Sequence, residues 1–150
     1  MALKERLRGD LTTAMKARDE LTASTLRMVL TAITNEEVAG KQARELSDDD
    51  VVRVLTREAK KRREAHDAYT QAGREELAAR EQAELGVIDT YLPQQLTDAE
   101  LAALIDAAVA ETGASEPKAM GQVMKVLQPR IAGRADGAKV AAEVRRRLGG

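Results

Sequence analysis

Cysteine, tryptophan and phenylalanine are absent from this 150-residue chain, histidine occurs once, and two tyrosines are its only aromatics. Without cysteine there is no disulfide, no thiol nucleophile and no thiolate ligand for zinc or an iron–sulfur cluster. A single imidazole excludes any site that needs two. No apolar run approaches the ~18 residues of a membrane span, and the N-terminus carries no apolar signal region. The expectation is a cytoplasmic protein with no membrane partner, or one of an organelle matrix from which a transit peptide has been removed. Neither sign of charge dominates, since 24 basic and 25 acidic residues leave a net −1. No global basic field announces nucleic acid, and there is no acidic tail.

What is present favours helix. Alanine fills 27 positions and charged residues make up 33% of the chain, so the strongest helix formers dominate. Strands want β-branched and aromatic runs, and none of useful length occurs. The chain reads as all-α, with a core of Leu, Val, Ile, Met and Ala that is thin for the length.

Periodicity and capping signals order the helices. Leu3, Leu7, Leu11 and Ala14–Met15 form one stripe over 2–17. Asp19 caps a second helix with Leu26, Leu30 and Ile33 inward, ending near Gly40 as a left-handed C-terminus. A polar loop over 40–46 follows. Ser47-x-x-Asp50 is a capping box for a long third helix that Gly73 stops. Asp48 and Asp49 complement its positive end, which explains these acids without a cation. A fourth helix over 74–92 carries Leu77, Leu85, Ile88 and Leu92 inward, and Pro93 ends it. Thr97-x-x-Glu100 caps a fifth, with Leu101, Leu104, Ile105, Ala108 and Val109 inward and Gly113 as its stop. Ser115 and Pro117 start a sixth, whose inner face is Met120, Val123, Met124, Leu127 and Ile131, with a stop or kink at Pro129. Asp136 caps a seventh over Val140, Val144 and Leu148, and the Gly149–Gly150 end frays. The expected domains are an N-terminal four-helix part over 1–93, a linker at 94–96 and a C-terminal three-helix part over 97–150.

Nothing in this pattern reads as a catalytic centre. His66 sits between Glu64 and Asp67 with no nucleophile nearby. Ser24, Ser47 and Ser115 are scattered. No glycine-rich phosphate motif occurs. No catalytic residue, cofactor or metal is expected. The basic run Lys60–Arg63 winds around its helix with Glu58 and Glu64 as neighbours, so a solvated, ion-paired face explains it. The C-terminal segment differs. From Gly113 onward eight basic residues stand against Glu116, Asp136 and Glu143. Such asymmetry supplies phosphate contacts and steering. Lacking aromatics, this segment cannot stack bases, so backbone and shape recognition of folded RNA is the compatible mode.

Ala119-Met-Gly-Gln-Val-Met-Lys125, the turn Gly133-Arg-Ala-Asp-Gly137 and a Val-rich last helix resemble the GatB/YqeY domain family. The N-terminal half agrees through Arg27-Met28, Asn35-Glu-Glu-Val38, Arg62-Arg63, Ala72-Gly-Arg-Glu75 and Tyr91-Leu-Pro-Gln-Gln-Leu96. The match spans essentially the whole chain and looks like a stand-alone member of the family. The resemblance implies a two-part helical fold. It also implies a relation to the tail of the GatB subunit of a glutamine-dependent tRNA amidotransferase, which contacts tRNA while a separate domain does the amide chemistry. The family label, carbon–nitrogen ligase with glutamine as amido-N-donor, describes chemistry that these residues are not expected to perform alone.

Three readings follow: a non-catalytic tRNA-binding module, a component of an amidotransferase complex, and a protein–protein adaptor with no RNA role. On the first, Lys125, Arg130, Arg134 and Lys139 form the RNA-facing set around the turn between the last two helices. Convergence of the four on one exposed surface favours RNA, and pairwise neutralisation by Glu116, Asp136 and Glu143 favours the adaptor. The matching glycines also have plain structural explanations, Gly121 as a close helix crossing and Gly133 and Gly137 as turn residues.

Overall fold

The computed structural model describes residues 2–149, and among them it is all-helical, with no strand. The helices are α1 (Ala2–Lys16), α2 (Glu20–Val38), α3 (Asp48–Gln71), α4 (Glu75–Asp89), α5 (Asp98–Thr112), α6 (Met120–Ile131) and α7 (Gly137–Arg147), with a 3₁₀ turn at Pro117–Ala119 before α6. By contacts the chain divides into two compact units, one ending at Leu92 and the other beginning at Pro93. Gly150, part of the end expected to fray, and Met1 lie outside the described residues.

In the first unit the local signals act as their chemistry requires. The Asp19 carboxylate accepts the Thr22 N–H at 3.1 Å, and Ser47 and Asp50 complete a reciprocal capping box. Gly73 adopts φ 72° at the end of α3, a helix about 36 Å long at 1.5 Å per residue. The core joins Leu7, Leu26, Val29, Ile33, Val51, Val54, Leu55, Leu85 and Ile88. Leu46 belongs to it as well, fully buried, although it closes the loop that reads as polar. The Glu37 carboxylate is the anchor there. It accepts Lys4 Nζ at 2.7 and 2.9 Å and the Leu46 N–H at 3.4 Å, tying α1, α2 and the loop together.

Three expectations for this unit fail for identifiable reasons. Gly40 is not left-handed, because the Arg44 N–H takes the Glu37 carbonyl at 2.9 Å and the chain leaves α2 without a left-handed residue. Leu77 is exposed although it lies only about 20° around the helix from the buried Ile88; it sits in the first turn of α4, about three turns before Ile88. Finally, α4 ends at Asp89, not at Leu92. Tyr91 and Leu92 donate to the carbonyls three residues back, at 3.0 and 3.2 Å, and tighten the chain out of the α-helix. That turn delivers the Tyr91 hydroxyl to Asp10 Oδ2 at 2.6 Å, with the Arg6 guanidinium 4.8 Å above the ring. Partial burial, and then the Asp10 carboxylate, raise the Tyr91 pKa well above that of an ordinary phenol.

The Lys60–Arg63 run is not a uniformly solvated face either. Arg62 is buried between α3 and α4, its side chain 8% exposed. It donates from NH1 to Glu58 Oε1 and to the Glu58 carbonyl, each at 3.0 Å. Its Nε lies 3.3 Å from Glu84 Oε1, an ion pair at an angle that makes no hydrogen bond. Removing one partner of a buried pair leaves an uncompensated charge.

The second unit closes on Leu101, Ile105, Ala108, Val123, Leu127, Ile131, Val140, Val144 and Leu148. Thr97 and Glu100 form the expected capping box, and Gly113 ends α5 at φ 66°. Ser115 does not cap α6; the 3₁₀ turn, led by Pro117, stands before it.

Glu84→Gln is expected to destabilise the protein by about 2–3 kcal/mol, below the cost of a fully orphaned buried charge because Glu58 remains. Tyr91→Phe is expected to cost about 1–2 kcal/mol for a hydrogen bond to a charged acceptor. Urea unfolding followed by helical circular dichroism measures both. Acid sensitivity follows from the anchors. The Lys4 ammonium and the Leu46 N–H hold Glu37 below its ordinary value of 4.5. Ser47 and then Arg44 hold Asp50 below 3.8. Their contribution is complete above those ordinary values and is lost as pH falls through the lower folded ones. The urea midpoint should therefore fall between about pH 5 and 3, less steeply in Glu37→Gln.

Candidate nucleic-acid interface

The turn between α6 and α7 is built by a proline, a glycine and a cap. Pro129 supplies no N–H and sits in the last turn of α6, which ends two residues later. Gly133, at φ 73°, reverses the chain, and the Arg134 N–H donates to the Ile131 carbonyl at 2.8 Å. The Asp136 carboxylate then caps α7 through the Ala138 N–H at 3.1 Å. Residues 94–96 hydrogen-bond to this turn. The Leu96 N–H donates to the Arg134 carbonyl at 2.8 Å, the Gln95 side-chain amide to the Gly133 carbonyl at 2.8 Å, and Arg134 Nε to the Gln94 carbonyl at 3.0 Å.

The four selected cations differ in how far they are committed. Lys125 is exposed on α6 and makes no ion pair among the described residues. Arg134 is half-buried and gives its Nε to a carbonyl, with no carboxylate partner among the described residues. Arg130 is held by both Glu111 oxygens, at 2.7 and 3.0 Å. That pairing lowers the Glu111 pKa and raises that of Arg130. Lys139 pairs with Asp98. The acids that do this come from α5, upstream of the segment in which the basic excess stands out. A third, Asp106, pairs with Arg147. Counted over 93–150, the unit holds eight basic and seven acidic residues. The field that the local count implies is therefore largely neutralised within the unit.

What remains uncommitted is the outer face of α6. This helix contains no acidic residue. Gly121, Gln122, Lys125 and Gln128 are all exposed on it, with Pro129 and Ala132 beyond. The glutamines carry no charge to mark them, yet 122, 125 and 128 recur at a spacing of three, a periodicity legible in the sequence. Gly121 is not a close helix crossing, since a Cβ placed there meets nothing within 4 Å. Its missing side chain serves no packing inside this chain. Elsewhere, His66 is half-exposed with Nδ1 3.2 Å from Asp67 Oδ1. Among the described residues no three metal-capable side chains come together, and no helix is long and apolar enough to cross a membrane.

Comparison with known proteins adds family and relatives. The model of a family described as YqeY-like protein matches residues 4–148. The chain is 36% identical over 97 residues to altered inheritance of mitochondria protein 41, mitochondrial, of Saccharomyces cerevisiae, covering 63% of this chain and 51% of that protein. The protein of the same name from Vanderwaltozyma polyspora is 33% identical over 86 residues, covering 57% and 46%. An uncharacterised protein of Schizosaccharomyces pombe is 33% identical over 93 residues, covering 61% and 73%. The chain thus spans about half the length of the mitochondrial relatives it matches.

Exposed ion pairs contribute little to stability, so Glu111→Gln and Asp98→Asn should each leave the melting temperature close to the parent's in thermal unfolding. Gly121→Ala should raise stability by about 0.5–1 kcal/mol, because helix entropy improves and no atom is displaced.

Proposed function

The chain belongs to the YqeY-like family, and from that membership we propose that its C-terminal unit is a non-catalytic module that binds folded tRNA by its backbone, in the service of glutamine-dependent tRNA amidation. The observation that carries this reading is the acid-free outer face of α6, where Gln122, Lys125 and Gln128 stand exposed above a glycine with open space around it. Amide, ammonium and guanidinium donors match phosphates and 2′-hydroxyls, which are what a folded RNA offers without base stacking. Both tyrosines lie outside this unit. Lys125 and Arg134 are the primary contacts. Arg130 and Lys139 exchange Glu111 and Asp98 for phosphates when RNA arrives.

A second reading, a protein–protein adaptor without an RNA role, is favoured by those same two pairs, since they cancel half of the selected set. Membership in a carbon–nitrogen ligase complex rests on the family resemblance, with the amide chemistry supplied by partner subunits. The RNA reading is compatible with the cytoplasm and equally with mitochondria, the compartment in the names of the budding-yeast relatives.

Fluorescence anisotropy of labelled total tRNA against the purified protein tests the proposal. Binding in the micromolar range or tighter, falling with added salt, is expected. Lys125→Ala/Arg134→Ala should weaken it roughly tenfold through the loss of two phosphate contacts. No binding at low salt overturns the RNA reading and leaves the adaptor, which a pull-down then examines.

A further inference from the structure

In the N-terminal unit, the corner between α1 and α2 opens beside α4 into a cleft of about 510 Å³, within the range that accepts small ligands. Three guanidinium groups line it: Arg18 from the corner, Arg27 from α2 and Arg80 from α4. Arg18 and Arg27 are exposed and make no ion pair among the described residues. Arg80 is shared with Glu84 at 3.3 Å. Two acids also line the cleft. The Asp19 carboxylate is committed to Thr22 as the cap of α2, and the Thr22 side chain, then its N–H, lower its pKa. Glu20 is the other. Met15, about half exposed, and Ala23 supply an apolar floor.

Arg18 carries the stronger signal. Its φ of 57° makes it the one non-glycine residue among those described in the left-handed region. The remaining left-handed positions, at 73, 113, 133 and 149, are all glycine. The backbone there is an ordinary helix ending, with Arg18 N–H on the Met15 carbonyl at 3.1 Å and Asp19 N–H on the Ala14 carbonyl at 2.9 Å. Glycine is the usual residue at such a position. Here the chain keeps a strained arginine whose side chain lines a cleft, and strain retained in this way points to use.

We propose that this cleft binds a small phosphate monoester. The dianionic phosphate is held by the two uncommitted guanidinium groups, Arg18 and Arg27, whose planar forks match phosphate oxygens in pairs. The apolar or planar remainder of the ligand lies on Met15 and Ala23. Arg80 closes the third side while remaining on Glu84. This site is independent of the RNA reading, because it lies in the other unit and uses none of its residues.

The test is a titration of the full chain with AMP, and separately with inorganic phosphate, at low ionic strength, following the arginine Nε–H signals by NMR. Saturable shifts at Arg18 and Arg27 are expected, with AMP binding several-fold tighter than phosphate because of the apolar floor. Arg18→Gly relieves the left-handed strain, so its melting temperature should match or exceed the parent's while AMP affinity falls roughly tenfold or more. Lys125→Ala/Arg134→Ala should bind AMP as the parent does, whatever it does to RNA. Unsaturating shifts, shifts that equal sodium chloride reproduces, or unchanged AMP affinity in Arg18→Gly each overturn the proposal. So does movement of these signals by tRNA but not by AMP, which would make the cleft an RNA groove.

Discussion

With only two tyrosines for aromatic bulk, this chain must build its cores from stripes of Leu, Val, Ile and Ala, and the rest of the structure follows from that constraint. Such side chains bury little area each, and alanine-rich faces bury less. Helices satisfy their own backbone and need only one apolar stripe, so they suit this composition. Two modest cores result, one centred on Leu26, Ile33, Leu55 and Ile88, the other on Ile105, Leu127 and Val140. Polar devices supply the specificity that large side chains would otherwise give. Glu37 joins α1, α2 and the loop at Leu46. Arg62 bridges α3 and α4 through Glu58 and Glu84. Tyr91, one of the two aromatics, latches its segment to α1 through Asp10.

The same economy shapes the charge of the C-terminal unit. Helix α5 buries Leu101, Ile105 and Ala108 while its Asp98, Asp106 and Glu111 reach cations of the following elements. With Glu100 of the same helix counted, the strong local basic excess is reduced to one net positive charge over the unit. The face that escapes this pairing is the outer side of α6, where no acid is present to compete for a ligand. A weak net field combined with one uncommitted, donor-rich face suits short-range recognition better than long-range steering.

Much of the fold was legible because its signals are local. Asp19, Ser47 with Asp50, Thr97 with Glu100, and Asp136 act within three residues of themselves. Gly73 and Gly113 need only their own backbone to stop a helix. The misses depend on what lies across the packing. The end of α2 needed no left-handed Gly40 because Arg44 bonds back to it. Leu77 shares the side of α4 that Ile88 buries, but at the helix start, where it stays exposed. The burial of Leu46 and Arg62 depends on Lys4, Glu37 and Glu84, remote in sequence. At the candidate interface, Arg130 and Lys139 find their carboxylates 19 and 41 residues away. Composition shows the excess of charge but not its cancellation. Gln122 and Gln128 are visible in the spacing, but neither carries a charge that marks it.

If this unit binds RNA as proposed, α6 is the element that faces it. Backbone amide shift mapping of the ¹⁵N-labelled chain during a tRNA titration examines that most directly. Perturbations concentrated at Gly121, Gln122, Lys125, Gln128 and Arg134, with α5 largely still, are the predicted result. Perturbations confined to the N-terminal unit, or to the ion pairs of Asp98 with Lys139 and Asp106 with Arg147, would contradict it.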